Sequence, residues 1–218
     1  MTNLQKQVPT KIIGIYLVIF FLWWSFYELS GFQLFATPFP QALSGSLIKF
    51  ATWTVPAFLL MKKYHDSLYV PFDKIFTNKF RVAPYILITF LMISYIILGE
   101  WVEHGSLQFS NSFNATDLIG VFLFVGITEE MVFRGWLLNA LLLKTTTIPA
   151  VLISSVLFLC IHFPIWVKTG SFIQNFASGG FINVLILSII FSVTFLKSKN
   201  ILVPIVIHML WDLALLIF

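Results

Sequence analysis

Charge is scarce in this chain. Of its 218 residues only 10% are Asp, Glu, Lys or Arg, while 59% are hydrophobic. A soluble domain has about a quarter of its residues charged, so this composition excludes an ordinary soluble domain and indicates a multi-pass protein of the cell membrane. Cysteine is nearly missing too. The single Cys160 lies inside an apolar run, so no internal disulfide can form, and it reads as a small core residue. Linkers, repeats and low-complexity segments are absent, and residues 1–218 are expected to form one membrane domain. No nucleic-acid motif accompanies the net charge of +4. The basic residues fall instead in short loops between apolar runs, so the expected partner is the lipid bilayer and not nucleic acid. The N-terminus lacks a small-residue cleavage site. "MTNLQKQVPTK" leads into the long run "IIGIYLVIFFLWWSFY", which reads as a retained first span.

What is present is apolar and aromatic. The 25 Phe and 7 Trp suit a surface that faces lipid, and Trp23, Trp24 and Trp101 read as anchors at headgroup level. Runs of spanning length fall at 11–27, 45–61, 83–99, 117–143, 149–166, 180–196 and 201–217. The expected fold is therefore an all-α, polytopic transmembrane helix bundle of about seven spans. With the N-terminus inside, the inner loops hold Lys6, Lys11, Lys62, Lys63, Lys74, Lys79, Arg81, Lys144, Lys197 and Lys199, and the outer loops only Lys49 and Lys168. That asymmetry supports an N-in, C-out topology. The stretch "EWVEH" (Glu100, Glu103, His104) reads as a solvated helix end.

Against this background, "TEEMVFRG" at Thr128 to Gly135 is anomalous. Each ionised side chain near the bilayer centre costs roughly 2.5–3.5 kcal/mol on insertion scales, so three cost about 9 kcal/mol. Once loop residues are set aside, the ionisable groups left at depth are Glu129, Glu130, Arg134, His162, His208 and Asp212. Counted from the cytoplasmic helix ends at about 1.5 Å per residue, Glu129, Glu130 and His162 lie roughly 20 Å deep, Asp212 about 18 Å, and His208 and Arg134 about 12–14 Å. Three separate runs thus place acid–base groups in one band. Glu130 and Arg134 are i, i+4 and can pair, as can His208 and Asp212, while Phe158 sets a ring beside His162 at the same interval. Glu129 is turned about 100° from Glu130, which suggests a division of labour: Glu130 held by Arg134, Glu129 facing a cavity shared with His162 and His208. Singly, an ion pair or an intramembrane histidine is often structural. As a set, these residues are candidates for function.

Glu129-Glu130-x-x-x-Arg134, then Phe158-x-x-x-His162, then His208-x-x-x-Asp212 resemble the three motifs of the CAAX prenyl protease 2-like family of intramembrane proteases. This family, also called CPBP or Abi, includes lysostaphin resistance protein A-like and bacteriocin-immunity members. The resemblance covers residues 117–217, a family-like catalytic core, and leaves the first three spans unconstrained. It implies an endopeptidase acting on a membrane-associated peptide or protein, with no cofactor. By position, Glu129 would activate water, His162 would help hold it, His208 and Asp212 would stabilise the oxyanion, and Glu130 and Arg134 would orient the site. An ionised Asp212 cannot donate to an oxyanion. It is read instead as fixing the tautomer of His208, with a protonated Asp212 as the other possibility.

The mechanistic rival is zinc, with Glu129, His162 and His208 as a His₂Glu set. No HExxH helix accompanies it. The chain also lacks the GxSG of a rhomboid-like serine protease and the GxGD of a paired-aspartate enzyme. Two non-proteolytic readings remain: a scaffold or immunity protein that binds a partner without cleaving it, and a small transporter using Glu and His as a proton relay.

Overall fold

The computed structural model describes residues 6–110 and 116–218, and among these every regular element is a helix, with no strand. The helices are α1 (Thr10–Ser30), α2 (Pro38–Lys63), α3 (Ala83–His104), α4 (118–141), α5 (Thr147–Lys168), the short α6 (Phe172–Ala177), α7 (Gly180–Ser198) and α8 (Leu202–Ile217). Of the described residues, α1, α2, α3, α5 and α7 form five helices long and apolar enough to cross a bilayer. The protein is an all-α, multi-pass membrane protein. Five of the seven expected spans meet these criteria, and α4 and α8 fall short of them for two physical reasons. The middle of α4 carries Glu129, Glu130 and Arg134. α8 has 16 residues, about 24 Å of helix against a hydrocarbon core of about 30 Å.

Proline and glycine mark several boundaries. Pro38 occupies the first turn of α2, where its missing N–H costs nothing, and starts that helix earlier than hydropathy alone suggests. α3 runs on through "EWVEH", with Glu100 and His104 paired at 3.2 Å, and stops at Gly105, whose φ of 70° closes the helix. α5 bends at Ile161–His162 ahead of Pro164, which has no N–H to continue the ladder. The bend sets His162 at a corner rather than on a straight helix.

α4 is the axis of the bundle and packs against α2, α5, α7 and α8. It alternates between wide turns with i→i+5 bonding (Leu118–Val125 and Met131–Leu138) and ordinary α turns (Gly126–Glu130 and Asn139–Leu141). Such widening is uncommon and gathers at functional sites. From Met131 to Ala140 every side chain is buried.

The loops rich in Lys and Arg share one end of the bundle. Asn139 at the end of α4 bonds Val70 through both main-chain groups, at 2.7 and 2.9 Å, and so ties down the 64–82 connection. Asn78 donates to the Lys199 carbonyl and Asn200 to that of Asn78. Gln7 donates to the Leu143 carbonyl, and Lys144 to Thr10. The opposite end holds the 31–37 connection, the Glu28–Lys168 ion pair (2.9 Å) and the C-terminus, where Phe109 stacks on Phe218.

Candidate active site within the membrane

Arg134 is fully buried and fully engaged. Its Nη1 meets Glu130 Oε1 at 2.9 Å, Nη2 donates to the Ser188 carbonyl and hydroxyl at 2.7 and 2.6 Å, and Nε reaches Ser192 Oγ at 3.4 Å. The guanidinium also lies over Phe158, 4.6 Å from the ring centroid. The expected Glu130–Arg134 pair is therefore present. Ser188 and Ser192, absent from the sequence reading, form its third side. Their signal was available: two serines four apart on one face of an otherwise apolar run.

Glu130 is shared. The oxygen that meets Arg134 also accepts from His208 Nδ1, at 2.9 Å. The His208 ring lies flat on Phe191, with centroids 4.5 Å apart and planes at 18°. With Glu130 paired to Arg134, Nδ1–H is the donor to it, and the Nε2 edge is left for other partners. Asp212 Oδ2 stands beside that edge at 3.6 Å, beyond hydrogen-bond range. The ring is thus oriented by Glu130, with Asp212 as a nearby second carboxylate.

His162 sits at the bend of α5 between the rings of Phe158 and Trp166. Its Nδ1 lies 3.0 Å from the Phe158 carbonyl. Because a carbonyl can only accept, Nδ1 carries the hydrogen and Nε2 is directed elsewhere. His162, His208, Asp212 and Trp211 wall a cavity of about 290 Å³ between α5, α7 and α8.

Glu129 is placed differently from expectation. Among the described residues that wall this cavity it is not included. Its Oε1 is paired with Lys49 Nζ at 2.8 Å, while His208 and His162 are its next charged or polar neighbours. Lys49, counted with the outer loops from the sequence, belongs to the site. Its ammonium lies over the rings of Trp53 (4.4 Å) and Trp24 (5.4 Å). Trp24 is correspondingly not an interface anchor. It is buried, and its indole N–H donates to the Ile161 carbonyl at 2.7 Å, at the bend of α5. Trp23 and Trp101 are exposed, as expected.

The alternative zinc set does not converge. Among the described residues no three His, Cys, Asp or Glu side chains are grouped to hold a metal ion. Of the three proposed ligands, Glu129 is held by Lys49, His208 by Glu130 and His162 by a main-chain carbonyl.

Glu130, Arg134 and His208 are thus in direct contact, Asp212 stands beside His208, and His162 faces the same cavity, while Glu129 is paired with Lys49. Residues 111–214 match the family model for the Type II CAAX prenyl endopeptidase Rce1-like proteins. Over those residues the chain is similar to the CAAX prenyl endopeptidases, consistent with the CPBP/Abi resemblance of its three motifs. α1, α2 and α3, and with them Lys49, Trp24 and Trp53, lie outside the match. No curated protein and no solved structure matches the chain.

Proposed function

We propose that the protein is an intramembrane endopeptidase that hydrolyses a peptide bond in a membrane-associated peptide or protein, with Glu129 activating the water. The observation that carries this reading is the buried Glu129–His162–His208–Asp212 assembly braced by Glu130 and Arg134, in a chain whose matched segment is a CAAX endopeptidase-like core. A buried carboxylate within reach of a bound water can serve as its general base. In the proposed step Glu129 takes a proton from water, and the oxygen attacks the scissile carbonyl carbon. The proton then passes to the leaving amine. His162 Nε2, free of the Phe158 carbonyl, orients the water. His208 Nε2, on the cavity wall, faces the carbonyl oxygen; as an imidazolium, with Nδ1–H on Glu130, the ring donates its Nε2–H to the oxyanion. Glu130 holds that imidazole through Nδ1, and Asp212 stands beside the Nε2 edge as a second negative charge.

In the same reading α4 and α8 complete seven membrane crossings, with the end bearing the basic loops in the cytoplasm and the C-terminus outside. The support is that ten of the thirteen Lys and Arg side chains belong to loops and helix ends on one side of the bundle. The site is tested with Glu129→Ala and His162→Ala variants assayed on the native substrate. Loss of cleavage in both is expected, and full proteolysis by either contradicts the assignment. A non-catalytic scaffold or immunity role is favoured by one feature, the engagement of Glu129 by Lys49. On that reading Glu129→Ala leaves the biological phenotype intact.

A further inference from the structure

A second cavity, of about 590 Å³, lies between the end of α1, the first half of α2 and the start of α4, at the end of the bundle away from the basic loops. Phe32 and Leu34 at its rim are exposed, while buried Trp24 and largely covered Lys49 form its floor. This cavity is distinct from the smaller one walled by His162 and His208. Glu129 stands between them, paired with Lys49 on one side and within electrostatic reach of the two histidines on the other.

The charge of this cavity is unusual for the chain. Apart from Arg134 and the residues of the basic end, the sequence holds two basic side chains, Lys49 and Lys168. Both line it. Each is already paired, Lys49 with Glu129 at 2.8 Å and Lys168 with Glu28 at 2.9 Å, and Asp117 completes the charged wall. An incoming carboxylate therefore meets no unopposed cation. It binds by exchange, taking an ammonium from the glutamate that holds it. Lys49 is built for such an exchange, because the faces of Trp53 and Trp24 keep its ammonium in place whichever carboxylate it serves. Gln33 and Gln41 in the wall supply the amide groups that a peptide backbone can bond.

We propose that this cavity receives the carboxylate-bearing end of a peptide substrate, and that Lys49 is a positioning residue that holds Glu129 until the substrate carboxylate takes over its ammonium. The inference rests on the endopeptidase reading for its second half. Its first half, the preference for a carboxylate, is a binding property and stands alone. The structure ties hydrolysis to arrival of the substrate: Glu129 is neutralised at rest and released when the cavity fills. Because α1 and α2 lie outside the matched residues, the device belongs to the N-terminal part of this chain.

The test uses the full chain in detergent and two peptide sets of identical apolar sequence, one ending in a free carboxylate and the other in a carboxamide. Binding is followed by tryptophan fluorescence, with Trp24 and Trp53 as the reporters nearest Lys49. The carboxylate set should bind about tenfold tighter, the scale of one charge-assisted bond. Lys49→Arg keeps that preference and Lys49→Met loses it. Should Lys49→Met fail to fold, the double variant Lys49→Met/Glu129→Gln removes both charges together and must also lose it. Gly120→Phe fills the cavity and weakens both sets; beyond its own helix a Cβ there meets Ser46 Oγ at 3.7 Å, so the backbone need not move. In cleavage assays Lys49→Met raises KM for the carboxylate set and erases the difference in KM between the two sets. Equal binding of the two sets, or a preference that survives loss of Lys49, overturns the proposal. A wild type that shows the preference yet cleaves neither set upholds the binding site and refutes the endopeptidase reading.

Discussion

Arg134 has no exposed surface, and its guanidinium is divided among Glu130, Ser188 and Ser192. Such a charge persists in the interior only because each donor has a partner. Replacement by Leu leaves Glu130 buried beside His208 alone, and removal of one partner of a buried pair costs about 3–5 kcal/mol. Arg134→Leu is therefore expected to lower the unfolding temperature in detergent sharply, and an unchanged temperature would show that the pair carries little stability. Glu129→Gln should be far milder, since its one ion-pair partner, Lys49, keeps two aromatic faces. At this scale the sequence was informative wherever partners lie four residues apart, as with Glu130–Arg134 and Phe158–His162. It was silent on Lys49, whose partner is 80 positions away. Loop counting then assigned that lysine to water.

At the scale of elements, the site depends on how closely α8 approaches α4. Gly126 makes this possible: a Cβ at that position would lie 2.8 Å from Met209 Cγ and 3.2 Å from the Ile205 carbonyl. His208 is the neighbour of Met209, so any widening of this contact moves the imidazole away from Glu130. Gly126→Ala should destabilise the fold by about 1–3 kcal/mol, the usual cost of overpacking, and reduce activity more than Gly120→Ala, where a Cβ meets Ser46 Oγ at an ordinary 3.7 Å. Comparable activities for the two would mean that the α4–α8 distance does not govern the site. Helix existence was legible from apolar run length, and all seven expected runs are occupied by helices. The wide turns of α4 and the bend of α5 were not, because they depend on carbonyls satisfied from other helices. Ser154 donates to the Phe133 carbonyl and Trp24 to that of Ile161.

For the whole molecule, the distribution of Lys and Arg and the hydrogen bonds joining residues 6–10, 64–82, 142–146 and 199–201 define one basic end. In the proposed topology, positive-inside asymmetry puts that end in the cytoplasm. Reporters fused to the two termini should therefore read inside at the N-terminus and outside at the C-terminus. Both termini on one side would contradict seven crossings. Membrane residence was evident from composition, and helical class from apolar runs of spanning length, since a single helix satisfies its own backbone in lipid. The two cavities were beyond reach of the sequence, because their walls are drawn from helices far apart in the chain.

The central claim is that Glu129 performs hydrolysis inside the bundle. The most direct measurement is mass-spectrometric detection of peptide cleavage by the purified full chain, beside Glu129→Gln, with and without a strong chelator. The account predicts cleavage by the wild type, unaffected by the chelator and slowed at least about 100-fold in the variant, the scale of general-base catalysis. Cleavage that persists in Glu129→Gln, or that is abolished by the chelator and restored by zinc, would contradict it.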